Sequence, residues 1–253
     1  DFTMQPAWGA DSLHFAYVVW DHPNMPWNGT ELRLVTLRED TSLLEVEAVS
    51  AVAGGDEISV FQPEFSPDGK YLAYISDESG YSHLYVYDVA SGAPRQLTHG
   101  EADFGQPGWQ QGMRIYDWSA DSSDIFVRRN DQGIHSLWRV DVASGESGRV
   151  DVLNAYTFFQ QVAVSRRDDR IAMIGSSSLI PARVVSVAAD GESVRVHRRA
   201  TREHVDSENL SEARAIHWAG HDGERVHGLY YPPVSAQFSS EGAPPLIVYI
   251  HGG

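Results

Sequence analysis

Along most of this chain, apolar positions come in short runs that alternate with polar ones, as in His83-Leu84-Tyr85-Val86-Tyr87-Asp88, and clusters of Ser, Pro, Asp, Gly and Asn separate the runs. Period-two alternation sends successive side chains to opposite faces of a strand. Turn chemistry at this density, between strands of about four to seven residues, predicts antiparallel meanders. The last segment differs. Pro244-Pro245-Leu246-Ile247-Val248-Tyr249-Ile250 is a continuous apolar run, the pattern of a strand covered on both faces, and it leads into His251-Gly252-Gly253.

The meanders repeat. Phe65-Ser66-Pro67-Asp68-Gly69-Lys70-Tyr71-Leu72-Ala73-Tyr74 is echoed 53 positions later by Trp118-Ser119-Ala120-Asp121-Ser122-Ser123-Asp124-Ile125-Phe126-Val127. Asp88-Val89-Ala90-Ser91-Gly92 recurs at the same offset as Asp141-Val142-Ala143-Ser144-Gly145. Weaker copies begin at Trp8 and Val164, so four units start at 8, 65, 118 and 164, in steps of 57, 53 and 46. A four-strand unit repeated at about 40 to 55 residues is the sequence signature of propeller blades. The longer first unit is ascribed to an insertion, His22-Pro23-Asn24-Met25-Pro26-Trp27-Asn28-Gly29, which cannot continue a ladder. Four blades pose a problem of closure, and further blades are expected upstream of Asp1.

The repeated residues have a structural explanation. In Ser-Pro-Asp-Gly, Pro presets φ, Asp bonds local amides and Gly takes positive φ. Asp11, Asp68 and Asp121 therefore read as turn formers rather than paired catalytic carboxylates, because one residue recurring in every blade does not make one site. Trp8, Phe65 and Trp118 read as packing between blades. The short basic clusters, Arg166 to Arg170 and Arg195 to Arg202, read as solvated strand ends.

After the fourth unit the repeat dissolves into a polar stretch suited to a linker, 201–211. Ala213 to Ala219 then reads as a strand, His221-Asp222-Gly223 as a hairpin turn, and Arg225 to Tyr231 as its partner. A loop from Pro232 to Pro245 leads to the buried-strand pattern. His217, His221 and His227 form the one histidine cluster. Two of them flank the turn without a carboxylate to orient them, so no metal site is assigned.

Composition narrows the function classes. Thirty-five acidic residues against 19 basic ones give a net charge of −16, which disfavours nucleic acid and anionic membrane as partners. No cysteine is present, which removes disulfides, thiolate nucleophiles and Cys-based zinc. No apolar run approaches the roughly 20 residues that span a bilayer. The acidic pairs Asp56-Glu57 and Glu101 with Asp103 are candidates for holding a substrate amine, against a plainer role as solvated loop charges.

The order Glu212-Ala213-Arg214-Ala215-Ile216-His217-Trp218, Asp222-Gly223, Val226-His227-Gly228-Leu229-Tyr230-Tyr231-Pro232 and Pro245 to Gly253 resembles the opening of the peptidase domain in the prolyl oligopeptidase family, and is most similar to the acylaminoacyl-peptidase branch. That family places a propeller ahead of an α/β-hydrolase domain, so the resemblance covers the whole chain. It implies a mainly β fold: a partial propeller of about four TolB/WD40-like blades over 1–200, the linker, and the truncated start of an α/β-hydrolase domain over 212–253. It further implies a serine peptidase acting on short peptides, with the propeller gating access. His251 would support a loop in which an amide of Gly252 or Gly253 faces the oxyanion. The family's G-x-S-x-G elbow and its Asp and His come later in the order and are not among these 253 residues, so this fragment alone is expected to be inactive. No cofactor or metal is implied. Expected partners are a peptide substrate and missing segments of the same protein, or self-association through exposed sheet edges. A cytoplasmic location is expected, with periplasmic or secreted locations left open. The alternatives are a non-catalytic TolB-like binding propeller and a carboxylesterase with a His-Gly-Gly-Gly loop.

Overall fold

The computed structural model describes residues 2–40, 43–168, 170–189, 193–202, 205–239 and 241–250. Four antiparallel four-stranded sheets follow one another along the chain, each with its strands side by side in sequence order. The first holds β1 (Phe2–Trp8), β2 (His14–Trp20), β3 (Thr30–Asp40) and β4 (Leu43–Gly55); the second β5 (Val60–Phe65), β6 (Tyr71–Ser76), β7 (His83–Asp88) and β8 (Ala93–Gln96). The third holds β9 (Tyr116–Trp118), β10 (Asp124–Asp131), β11 (Ile134–Asp141) and β12 (Ser147–Arg149); the fourth β13 (Phe158–Val164), β14 (Ile171–Ser176), β15 (Arg183–Val187) and β16 (Val194–Arg199). A separate hairpin, β17 (Arg214–Ala219) with β18 (Arg225–Tyr230), follows. The blade repeat is therefore real, and its unit starts one strand earlier than the aromatic that marks it. The first unit is longer for two reasons, the loop at 21–29 and the long β3–β4 hairpin, where the sequence pointed only to the loop.

The core is divided into seams between consecutive blades. Met4, Ala16, Val18, Leu32 and Leu34 of blade 1 meet Val60, Phe65, Leu72, Tyr74 and Tyr85 of blade 2. Ala73, Ile75, Leu84 and Val86, the alternate positions of the same blade 2 strands, turn the other way and meet Tyr116, Trp118, Ile125 and Val127 of blade 3. Phe126 and Leu137 of blade 3 then meet Phe159, Val164, Ile171 and Met173 of blade 4. Strand periodicity thus feeds two seams at once, which is why these strands are apolar at nearly every position.

Phe65, Trp118 and Val164 each face the preceding blade. Trp8 holds the same position in blade 1 but is 58% exposed, with its ring 5.0 Å from that of Phe15. Its side of blade 1 faces no other blade among the described residues.

The turns close alike. The N–H of Gly9, Ser66, Ser119 and Ser165 donates to the carbonyl five residues on, at 2.8, 2.8, 2.8 and 2.9 Å. Inside them, Asp11 accepts from the amide of Leu13, Asp68 from Lys70 and Asp121 from Ser123, at 2.9 to 3.1 Å. Asp88 and Asp141 do the same for Ser91 and Ser144 at 2.8 and 2.7 Å. These bonds bear out the reading of the aspartates as turn formers.

One expectation is extended and one corrected. Arg166 is solvated, its side chain 46% exposed, but its guanidinium also donates to Trp118 O at 2.6 Å and to the buried Asp117 carboxylate at 2.8 Å, tying blade 4 to blade 3. Leu246 to Ile250 is not in a ladder, and its side chains are 71 to 93% exposed. A central strand needs neighbours for its N–H and C=O groups, and among the described residues none pairs with this run.

Candidate functional site

The Ser-Pro-Asp-Gly turns occupy one end of the blades. Antiparallel pairing sends the loops between second and third strands, and all links from one blade to the next, to the opposite end. The longest link, 97–115, crosses that end. Phe104 N–H donates to Ser82 O at 2.6 Å, and Asp103 exchanges backbone bonds with Asn130 at 3.0 and 2.7 Å. Gln111 Oε1 then accepts from Gln5 N–H in β1 at 2.9 Å. Gly105 is required where the link meets blade 2, since a Cβ there would lie 2.4 Å from Ser82 Cβ.

Beneath this link is a cleft of about 450 Å³, lined by Trp27, Asp77, Asp103, Gln106, Arg128, His135 and Phe158 among others. It draws on the 21–29 loop of blade 1, blades 2 and 3, and the start of β13. Arg128 is only 3% exposed. Its Nη1 donates to Gln106 Oε1 at 2.6 Å and to Phe159 O at 3.4 Å, and Nη2 donates to Gly105 O at 2.8 Å. Its Nε has no acceptor. No carboxylate lies within ion-pair distance of it among the described residues, and burial lowers its pKa to about 10 against the more distant Asp103 charge, which raises it. His135 is lowered to about 3, by burial first and by the Arg128 charge second. It is therefore neutral, with Nδ1 accepting from Phe159 N–H at 3.0 Å, Nε2 carrying the proton, and its ring stacked on Phe158 at 4.6 Å. Burial raises Asp77, against the bond its carboxylate accepts from Ser59 N–H at 2.7 Å. Asp103 accepts from Ser82 N–H at 3.1 Å.

Other charges on the inner strands are compensated. Arg114 lies 2.6 Å from Glu64 and 3.3 Å from Asp117, and Arg166 completes the group. Burial still raises Glu64, with Arg114 opposing it. Against that network Arg128 stands out as a buried cation held by neutral acceptors.

The hairpin β17–β18 sits at the same end. Leu229 approaches Gly133, in the turn between β10 and β11, where an added Cβ would lie 3.4 Å from the leucine, and Ala213 N–H donates to Ser178 Oγ at 3.0 Å. The turn predicted at His221-Asp222-Gly223 is present, with Gly220 N–H donating to Glu224 O at 2.7 Å and Gly223 at φ +84°.

Of the residues singled out from sequence, Asp103 lies in the cleft, while Asp56, Glu57 and Glu101 are exposed elsewhere. His217 and His227 face each other across β17–β18 with ring centroids 6.4 Å apart, and His221 lies in the turn. No cluster of three or more metal-ligating side chains occurs among the described residues. His251, Gly252 and Gly253 lie outside the described residues. Sequence reasoning missed Arg128, His135 and Asp77. A signal was present for the first: Arg128-Arg129 interrupts the apolar run Ile125-Phe126-Val127, and period-two alternation must turn one of the two inward.

Four meander blades packed face to face, with a cleft at the end that carries the inter-blade links, define a β-propeller domain. Residues 33–226 match the family described as the lipoprotein LpqB beta-propeller domain. The chain belongs to that family. It is also similar, at 30% identity and a TM-score of 0.81 over 92% of its length, to a puromycin-hydrolyzing peptidase of Mycobacterium tuberculosis. A crystal structure of puromycin hydrolase matches at 30% identity and a TM-score of 0.82 over 94%. The chain spans 35% of the length of each of those proteins. A 39-residue segment, 15% of the chain, is 54% identical to the Tol-Pal system protein TolB of Xanthomonas campestris and covers 9% of it.

Proposed function

We propose that this chain is the substrate-gating propeller and the opening of the catalytic domain of a serine peptidase acting on short peptides or aminoacyl amides. In this reading 1–200 is propeller, 201–211 linker and 212–253 the start of an α/β-hydrolase domain. The observation that carries it is the placement of β17–β18, whose residues carry the resemblance to a peptidase domain, on the same end of the propeller as the cleft. The likeness to puromycin-hydrolysing enzymes supports it, because it extends over more than nine-tenths of the chain and so reaches beyond the blades.

The chemistry is that implied by the resemblance to the peptidase family. A serine supplied outside these residues attacks the scissile carbonyl, a histidine takes its proton and returns it to the leaving amine, and an aspartate orients the histidine. An amide of Gly252 or Gly253 donates to the oxyanion with His251 supporting the loop, and one such donor is worth about 10²- to 10³-fold in rate. The propeller admits small, unfolded substrates and excludes folded ones. Within this reading the acylaminoacyl-peptidase branch is the finer assignment.

The test is hydrolysis of aminoacyl, acyl-aminoacyl and dipeptidyl chromogenic amides by the gene's complete product. Turnover of at least one class, reduced about 10²-fold or more by Gly252→Pro or Gly253→Pro, is expected; absence of turnover refutes the reading. A second reading, a non-catalytic binding propeller, is favoured by the local TolB identity and predicts no turnover of any amide.

A further inference from the structure

We propose that the cleft around Arg128 is a carboxylate-binding site, and that it takes the free C-terminal carboxylate of a short peptide whose body lies against Trp27 and Phe158. The inference rests on the propeller alone and holds whether or not the intact protein is a peptidase.

Burying a guanidinium costs several kcal/mol unless a counter-charge and hydrogen bonds offset it. A guanidinium has five N–H donors in one plane. Here three bonds to neutral acceptors orient it, and Nε, itself buried from solvent, is left without an acceptor, so a ligand must enter the cleft to the depth of the guanidinium to reach it. The protein supplies it no carboxylate within ion-pair distance among the described residues, the Asp103 charge reaching it only from farther away, although the chain has 35 acidic residues and pairs Arg114 and Arg166 closely. A site that fixes the fork and withholds the anion is suited to receiving one.

The walls narrow the class. A carboxylate matches the planar fork better than a tetrahedral anion does. Trp27, which itself packs on Trp109 at 4.4 Å, and Phe158, stacked on neutral His135, offer apolar surface to whatever carries the carboxylate. Asp77 and Asp103, at the same cleft, disfavour a multiply charged anion and leave the ligand a second, cationic or amide-bearing end to satisfy.

The test is calorimetric titration of the 253-residue chain with N-acetyl-Ala-Ala-Phe as the free acid, with the same peptide as its C-terminal amide, and with inorganic phosphate. The free acid is expected to bind at least about 10-fold more tightly than the amide or phosphate, the advantage of a charge-assisted fork over a neutral contact. Arg128→Gln should abolish the acid-over-amide preference. Because Arg128 also bonds Gly105 and Phe159, Arg128→Lys, which keeps the charge and loses the fork, is the second variant, and it should reduce the preference. Equal affinity for acid and amide in the unaltered chain, no saturation of either up to about 10 mM, or phosphate binding as tightly as the acid would each overturn the proposal.

Discussion

Among single residues, the turn aspartates hold the same bonds in blade after blade. Asp121 accepts from the amide and hydroxyl of Ser123 and from the Ser119 hydroxyl, and these bonds lower its pKa to about 2. Bonds of the same kind lower Asp11, Asp68, Asp88, Asp141 and Asp168. A carboxylate with a depressed folded-state pKa contributes stability that is complete above its unfolded value, near 4, and is lost as pH falls through the folded value. The buried neutral His135 acts at higher pH, because the unfolded chain takes up a proton near pH 6.5 that the folded site accepts only at about 3, so the melting temperature should plateau only above about pH 7 and fall progressively toward pH 2. Asp121→Ala should cost about 0.5 to 1 kcal/mol in urea unfolding, small because the group is solvated, while Asp121→Asn retains most of that. Gln62 belongs to a different class. It adopts φ +50° at a bulge in β5, its Oε1 accepts from Ile115 N–H at 2.8 Å, and its Nε2 donates to Tyr116 O at 2.9 Å, joining blade 2 to blade 3. Gln62→Leu strands two buried backbone groups and should destabilise by about 2 to 4 kcal/mol in the same measurement. Gln5 and Gln161 hold the equivalent bulge in blades 1 and 4, at φ +53° and +56°.

For strands and hairpins, legibility follows how local the cause is. Turn chemistry and alternation are local, so the blades and the β17–β18 hairpin could be read from Ser66-Pro67-Asp68-Gly69 and from His221-Asp222-Gly223. The Gln bulges left only a trace, a glutamine three residues before Trp8, Phe65 and Val164, because a bulge has no composition that announces it until the register is known. The run 246–250 shows the limit: its apolar pattern encodes a strand, yet a strand exists only beside a partner. The cleft was the least legible part, because Arg128, His135, Asp77 and Trp27 are far apart in sequence and meet only through the 97–115 link and the 21–29 loop. The hairpin yields its own prediction. If Leu229 against Gly133 and Ala213 against Ser178 hold β17–β18 on the propeller, Leu229→Asp should free it, seen as faster protease cleavage within 201–212 with the blades left intact. An unchanged cleavage rate would show that the contact does not anchor it.

At the scale of the whole molecule, three seams join four blades, and Trp8 and Phe15 lie on the face of blade 1 turned away from blade 2. An apolar face of this kind favours association. The isolated chain should self-associate in sedimentation velocity, and Trp8→Lys should shift it toward monomer. The link 97–115, the cleft and the hairpin all gather at one end, which gives the molecule a polarity: the Ser-Pro-Asp-Gly turns at one end, the cleft and the hairpin at the other. The reading that a peptidase domain is seated at that end is tested most directly by mapping fluorophosphonate adducts on the gene's complete product by mass spectrometry. One labelled serine, later in the chain order than Gly253, is expected, with no label on the 253-residue chain alone. No adduct on the complete product, or an adduct on a serine within residues 1–253, would contradict it.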